Sequence, residues 1–127
     1  MDFSNYLANK LISATVRNLS YTTPSTVYLA LFTTDPTKDN AGDEVDQASY
    51  NRQEVTFTVP ADGVATNASQ IDWATATTNW GNVGWVAIMD ASTSGNMLYF
   101  AGLDNPKTIL TGDQFRINVN QLQLTLT

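Results

Sequence analysis

The chemistry-bearing residues of this chain are concentrated in one segment. Between residues 35 and 49 lie Asp35, Asp39, Asp43, Glu44 and Asp46, five of the twelve acidic residues. Two carboxylates held at a fixed separation can hydrolyse a glycosidic bond. A ring of carboxylate and carbonyl oxygens can hold Ca²⁺. Neither reading fits the pattern well. The spacing does not match a D-x-[DN]-x-[DN]-G calcium loop, and a long polar loop does not fix the distance between two carboxylates as rigid strands would. A solvated acidic loop is the simpler reading.

Other catalytic parts are missing. The chain has no His and no Cys, so the usual nucleophile–base pairs and thiolate metal sites are excluded. We therefore expect a non-enzymatic protein without cofactor or metal. Trp73, Trp80 and Trp85, with Tyr99 nearby, could form a sugar-binding platform, but strands that also carry Val, Ile and Leu usually bury their Trp residues. Asn18-Leu-Ser20 and Asn67-Ala-Ser69 match the glycosylation sequon, a short pattern that recurs by chance in Asn- and Ser-rich chains. Arg52 and Glu54 stand out in a chain with few charges. An ion pair between subunits is one use for them, and ordinary surface charge is the plainer one.

These side chains must be positioned by β-structure. Trp80–Ala91 and Met97–Gly102 are two apolar runs joined by Ser92-Thr-Ser-Gly-Asn96, which reads as a β-hairpin with Gly95 at a positive φ. Both faces of the first run are apolar, so the hairpin belongs at the centre of a sheet covered on both sides. Val27-Tyr-Leu-Ala-Leu-Phe32 has the same character. Alternation over Glu54–Val59, Gln70–Trp73, Gln114–Val119 and Gln121–Leu126 predicts half-exposed strands, the last running to the end of the chain. Lys107–Leu110 follows a turn at Asp104-Asn-Pro106. An amphipathic helix is predicted over about 3–19, with Asp2 or Ser4 as its cap and Phe3, Leu7, Leu11, Ile12, Val16 and Leu19 along its apolar stripe. Such a helix either covers an open end of the sheet or binds a neighbouring subunit. The fold class is mainly β: one domain spanning 1–127, an antiparallel two-sheet β-sandwich or barrel of about seven to eight strands with one N-terminal helix.

Composition narrows the partners. Charged residues are 14 % of the chain and the net charge is −6, with six scattered Lys and Arg. Nucleic-acid binding needs clustered cations and is not expected. No run approaches the roughly 18 apolar residues of a membrane span, and the N-terminus does not read as a signal peptide.

Several stretches, in order and spacing, resemble the small phage virion proteins commonly labelled phage tail fibre proteins. They are Ser4-Asn-Tyr-Leu7 with Lys10-Leu11, Val27–Thr37, Gly42-Asp-Glu-Val45 with Tyr50-Asn-Arg52, and Asn79-Trp-Gly81. Asp90-Ala91 with Gly95-Asn-Met-Leu98, and Lys107-Thr108 before Gly112-Asp113, complete the set. The strand and turn at 27–37 are its most specific part. The chain departs from that family at Asp46-Gln-Ala-Ser49 and near Asp72-Trp73-Ala74. The resemblance implies a virion structural protein without catalytic residues, made in the host cytoplasm.

Two roles follow. One is a capsid decoration or cement protein that binds the major capsid protein and reinforces capsomer contacts. The other is a tail- or fibre-associated module that recognises a receptor on the host surface. A single domain without shaft or repeat segments favours cement, the first expectation. A homo-oligomer, preferably a trimer, is expected. The helix polar face (Asn5, Asn9, Arg17), the acidic loop (Asp39, Asp43, Glu44, Asp46) and Arg52 are the expected contact residues.

Overall fold

The computed structural model describes residues 1–126. Its central unit is the expected hairpin, with β6 (Gly81–Met89) antiparallel to β7 (Met97–Ile109). The turn is tied by Asp90, whose carboxylate accepts from the Asn96 backbone N–H (2.7 Å) and side-chain amide (3.0 Å). Gly95 has φ 75°, and a Cβ there would come within 2.5 Å of Asp90 Oδ1 and 2.8 Å of the Ala91 Cβ, so no other residue fits.

Around the hairpin, β1 (Asp2–Phe3), β2 (Val27–Phe32) and β3 (Gln53–Val55) complete a five-stranded sheet in the order β1-β7-β6-β2-β3. A second layer holds two short ribbons. In one, β4 (Val64–Thr66) pairs with β9 (Gln123–Thr125), and in the other β5 (Ile71–Asp72) pairs with β8 (Arg116–Ile117). The fold is thus mainly β and antiparallel, and the barrel alternative is corrected: the large sheet ends at β1 and β3, and the ribbons do not close it. The left-handed Asn120 (φ 65°) lies between β8 and β9, where the second layer divides into its two ribbons.

The two faces of the large sheet are buried differently. Leu29, Leu31, Val86 and Ile88 pack towards Ile71, Trp73, Phe115 and Leu122 of the second layer, forming the main core. Ala30, Phe32, Ala87, Met89, Met97 and Phe100 form a shallower cluster on the opposite face. Ala30 and Ala87 lie directly opposite each other, which keeps this face low. The segment 33–43 closes over it. The segment leaves β2 at Phe32, reaches the β1–helix junction, where the Asn5 N–H donates to the Lys38 carbonyl (2.9 Å), and returns to pair Thr33 with Asp43 (2.9 Å). Pro36 is buried on the way.

Several elements are shorter than the alternation predicts. The run 54–59 changes partner midway. Val55 pairs with Val27 in the large sheet, whereas Thr56 and Thr58 bond with Ala68 and Thr66, which leaves Val59 89 % exposed. Asp104-Asn-Pro106 is no turn between strands. It is a wide bulge inside β7, since Val83 faces Lys107 while Trp85 faces Gly102, and a bulge tolerates a Pro that a regular ladder cannot. Phe115 is buried, but Val119 is exposed beyond the two-residue β8. Thr127, where the last strand was expected to run out, lies outside the described residues.

The helix α1 spans Asn5–Val16, shorter than the expected 3–19 because Asp2 and Phe3 pair with Phe100 and Tyr99 instead. Ser4 is the cap, its Oγ accepting from the Leu7 N–H at 3.0 Å. Asn18 (φ 56°) ends the helix, and the Leu19 N–H folds back to the Ser13 carbonyl.

Candidate interaction surfaces

The acidic segment is a lock, and two of the expected contact residues are its parts. Glu44 holds Arg52 through two hydrogen bonds, Nε to Oε2 at 2.9 Å and Nη2 to Oε1 at 2.8 Å. Tyr50 donates to Glu44 Oε2 at 2.6 Å and accepts from the Leu31 N–H at 3.0 Å. Arg52 Nη1 reaches the Ala91 (2.9 Å) and Ser94 (2.7 Å) carbonyls of the β6–β7 turn. The Arg52 side chain is only 8 % exposed. Burial and the bond to Glu44 push the Tyr50 hydroxyl far up, so it stays protonated. Glu44 raises the Arg52 pKa further still. This network joins the segment after β2, the lead into β3 and the hairpin turn. Glu54, singled out with Arg52 in the sequence reading, is exposed on β3.

Asn5 and Asp39 are brought together. The Asn5 amide donates to Asp39 Oδ1 at 2.7 Å, beside a small cleft that also holds Lys38 and Asn96. Asn9 and Arg17 are exposed on α1, and Asp43 and Asp46 are exposed on the loop. The loop carboxylates do not converge: Asp35 caps the Thr37 N–H (2.9 Å), Asp39 takes Asn5, and Glu44 takes Arg52. Among the described residues no group of three or more potential ligands is poised to hold a metal ion.

The Trp platform dissolves into the core. Trp73 and Trp80 are buried, each in an edge-on aromatic contact, with Phe115 and Tyr50 respectively. Trp85 is half-buried and lies flat enough over Gly102 that a Cβ there would meet its ring at 3.3 Å. Asn67 is wholly buried, so its sequon is structural. Its amide donates to the Ser69 and Asn118 carbonyls (2.9 Å each), and its Oδ1 accepts from the Leu122 N–H (2.9 Å).

Two further surfaces remain, a groove that the sequence reading did not single out and part of the helix stripe that it did. The first is a groove of about 540 Å³ between the β7 bulge and the segment around β8. Ile109, Phe115 and Leu122 form its floor, and Asn105, Asn118 and Gln121 stand on its rim. Arg116, also on the rim, is paired with Asp72 at 2.6 Å. Pro106 inside a strand was the signal that could have located the bulge. The second is an apolar ridge on α1. Leu7 is buried against the core and Leu11 half-buried, but Ile12, Val16 and Leu19 are 58 %, 74 % and 50 % exposed. The expected stripe therefore splits, its first half covering the sheet and its second half facing outward. Among the described residues no helix is long and apolar enough to cross a membrane.

No curated protein matches the chain. A family model described as Podophage GP4 fiber I protein gp80 matches residues 2–125, nearly the whole of the described fold, and the chain belongs to this phage fibre family.

Proposed function

We propose that this phage structural protein is a tail- or fibre-associated module of the virion that takes part in recognising the host surface, without catalysis. The near full-length match to a fibre family carries the reading. It reverses the order reached from sequence, where the lack of shaft or repeat segments put capsid decoration first. A compact domain can serve as one part of a composite fibre, so that observation does not weigh against the match.

The groove beside the β7 bulge is the proposed receptor contact. At about 540 Å³ it combines an apolar floor with side-chain amides on its rim, a lining suited to ligands rich in hydroxyl groups. Its partners within the particle are other virion proteins, and nucleic acid is not among them.

Quantitative mass spectrometry of purified particles tests the location. A few copies per particle, with antibody labelling at the tail, is the expected result. Parity with the major capsid protein would restore the decoration reading. Host-cell binding by the purified protein, weakened by replacing Asn105 and Gln121 with Ala, tests the groove; undiminished binding would remove the groove from the proposal.

A further inference from the structure

Among the described residues β9 pairs with β4 only, on one of its two sides. The hydrogen bonds at its ends fix which residues do the pairing. Leu126 donates its N–H to the Gly63 carbonyl (2.8 Å), and the Leu122 carbonyl accepts from the Asn67 N–H (3.1 Å). Bonded residues alternate in an antiparallel ladder, so Leu122, Leu124 and Leu126 turn their main chain towards β4, and Gln123 and Thr125 turn theirs away. The residues opposite agree. Val64, across from Thr125, exchanges both its bonds with Ala61 (3.0 Å each), and the Thr66 carbonyl, across from Gln123, accepts from the Thr58 N–H (2.8 Å). Gln123 and Thr125 therefore present two N–H and two C=O groups along an open edge, at the spacing another strand requires. We infer that β9 of one copy pairs antiparallel with β9 of a second copy, about a two-fold axis at Leu124.

The strand's own sequence selects a second copy. From Ile117 to Leu126 the chain has no charged residue. The outer strands of the large sheet and both strands of the other ribbon are charged: Asp2 on β1, Glu54 on β3, Asp72 on β5 and Arg116 on β8. Charges of that kind discourage pairing at an edge, and β9 carries none. Two copies, each with a net charge of −6, can therefore meet along β9 without setting like charges opposite each other. A pair centred on Leu124 sets Gln123 opposite the second copy's Thr125 twice over, with four main-chain hydrogen bonds. Residues two apart share a face. Leu124 then meets its own counterpart, and Leu126, which is 45 % exposed, lies across from the second copy's Leu122. Leu124 and Leu126 also line an apolar hollow of about 180 Å³ with Pro60, Val64 and Tyr99. One side of the seam is thus aliphatic, and the other, with Gln123 and Thr125, is polar and uncharged.

The two halves of the contact are the same surface, so the association is isologous and closes on two copies, where the sequence reading favoured three. Of residues 122–126, only Leu122 also lines the receptor groove. The inference does not depend on what that groove binds or on where the protein sits in the particle.

The test is sedimentation of the full chain at up to roughly 100 µM, with circular dichroism confirming that each variant folds. Wild type sediments as a dimer. Thr125→Pro removes an outward N–H that the fold does not use, and Leu126→Lys sets a charge in the aliphatic side of the seam at a position exposed in the single chain. Each raises the dimer dissociation constant by about tenfold or more. Leu124→Cys reports the register. The chain has no Cys of its own, and an unbonded pair at the axis brings two Cα atoms within reach of a disulfide. Mild oxidation therefore links two copies of Leu124→Cys, and links the exposed Val59→Cys far less. A monomeric wild type, assembly that survives both Thr125→Pro and Leu126→Lys, or a dimer that Leu124→Cys fails to link would overturn the inference.

Discussion

The segment 43–52 and the second half of α1 use their residues in opposite ways. In the first, Glu44, Tyr50 and Arg52 are polar groups turned inward and bonded to one another, with Tyr50 also tied to the backbone of β2 and Arg52 to that of the hairpin turn. In the second, Ile12, Val16 and Leu19 are apolar groups turned outward. The chain turns part of its small stock of charge inward to hold itself together and leaves these aliphatic groups exposed. The contrast shows why residue type alone misplaces burial. A charged loop reads as exposed and an apolar stripe reads as core, until the covering elements are known.

The main core sets the upper end of the scale on which that contrast is measured. Trp73→Ala should destabilise the fold by about 3–5 kcal/mol in urea titration, because the indole fills the space between Phe115 and the large sheet. Its Nε1–H is a buried donor without a partner among the described residues, which already costs the native state something and places the loss towards the lower end of that range.

Breaking the lock comes next. Arg52→Met keeps most of the side-chain volume but strands the Glu44 carboxylate and two turn carbonyls, and should cost about 3 kcal/mol. Pairing it with Glu44→Gln sharpens the point. If the two groups act as one unit, the double variant loses clearly less than the sum of the singles, which a double-mutant cycle reads directly. Asn67→Ala should cost roughly 2 kcal/mol by the same titration, since it leaves the Leu122 N–H and two carbonyls without their partner.

At the outward ridge the expectation for stability is close to nothing. I12N/V16N should shift unfolding by less than about 0.5 kcal/mol, even though two large aliphatic residues are lost, because neither is buried within the chain. A loss comparable to that of Arg52→Met would erase the contrast between the regions.

The smallest effect belongs to the exposed pair of Asp72 and Arg116. Gln70 first and then Arg116 hold the Asp72 carboxyl below the ordinary carboxylate range. A depressed folded pKa stabilises above the unfolded pKa, and that contribution disappears as pH falls through the folded value. Asp72→Asn should therefore lower Tm slightly at neutral pH, with the gap to wild type closing on acidification. A gap that widens in acid would show that the pair is not what links Asp72 to stability.

Local pattern made much of this molecule legible. The apolar runs 27–32 and 81–89 are strands because β-branched and aromatic residues there are apolar on both faces, and both prove to be central in the five-stranded sheet. The Ser92–Asn96 turn follows from the need for a positive φ at Gly95. Ser4, one of the two candidate caps read from the sequence, caps the helix. The family resemblance likewise rested on residues in order along the chain. These features depend on neighbours in sequence, which is why the sequence alone determined them.

Tertiary structure decided the rest. Whether the stripe on α1 is core or surface depends on where the second layer stops, and nothing in residues 3–19 encodes that. Glu44 and Arg52 meet because the segment after β2 crosses the sheet and returns, a long-range path that spacing cannot report. The strand pattern at 54–59 correctly marked β-structure but not the change of partner at Thr56, because alternation records which side of a strand is apolar and not what lies across from it. The groove exists because a Pro-containing bulge in β7 stands apart from the segment around β8, and whether that space stays open depends on how the two layers pack. Backbone preferences act over a few residues, whereas burial is a property of the assembled whole.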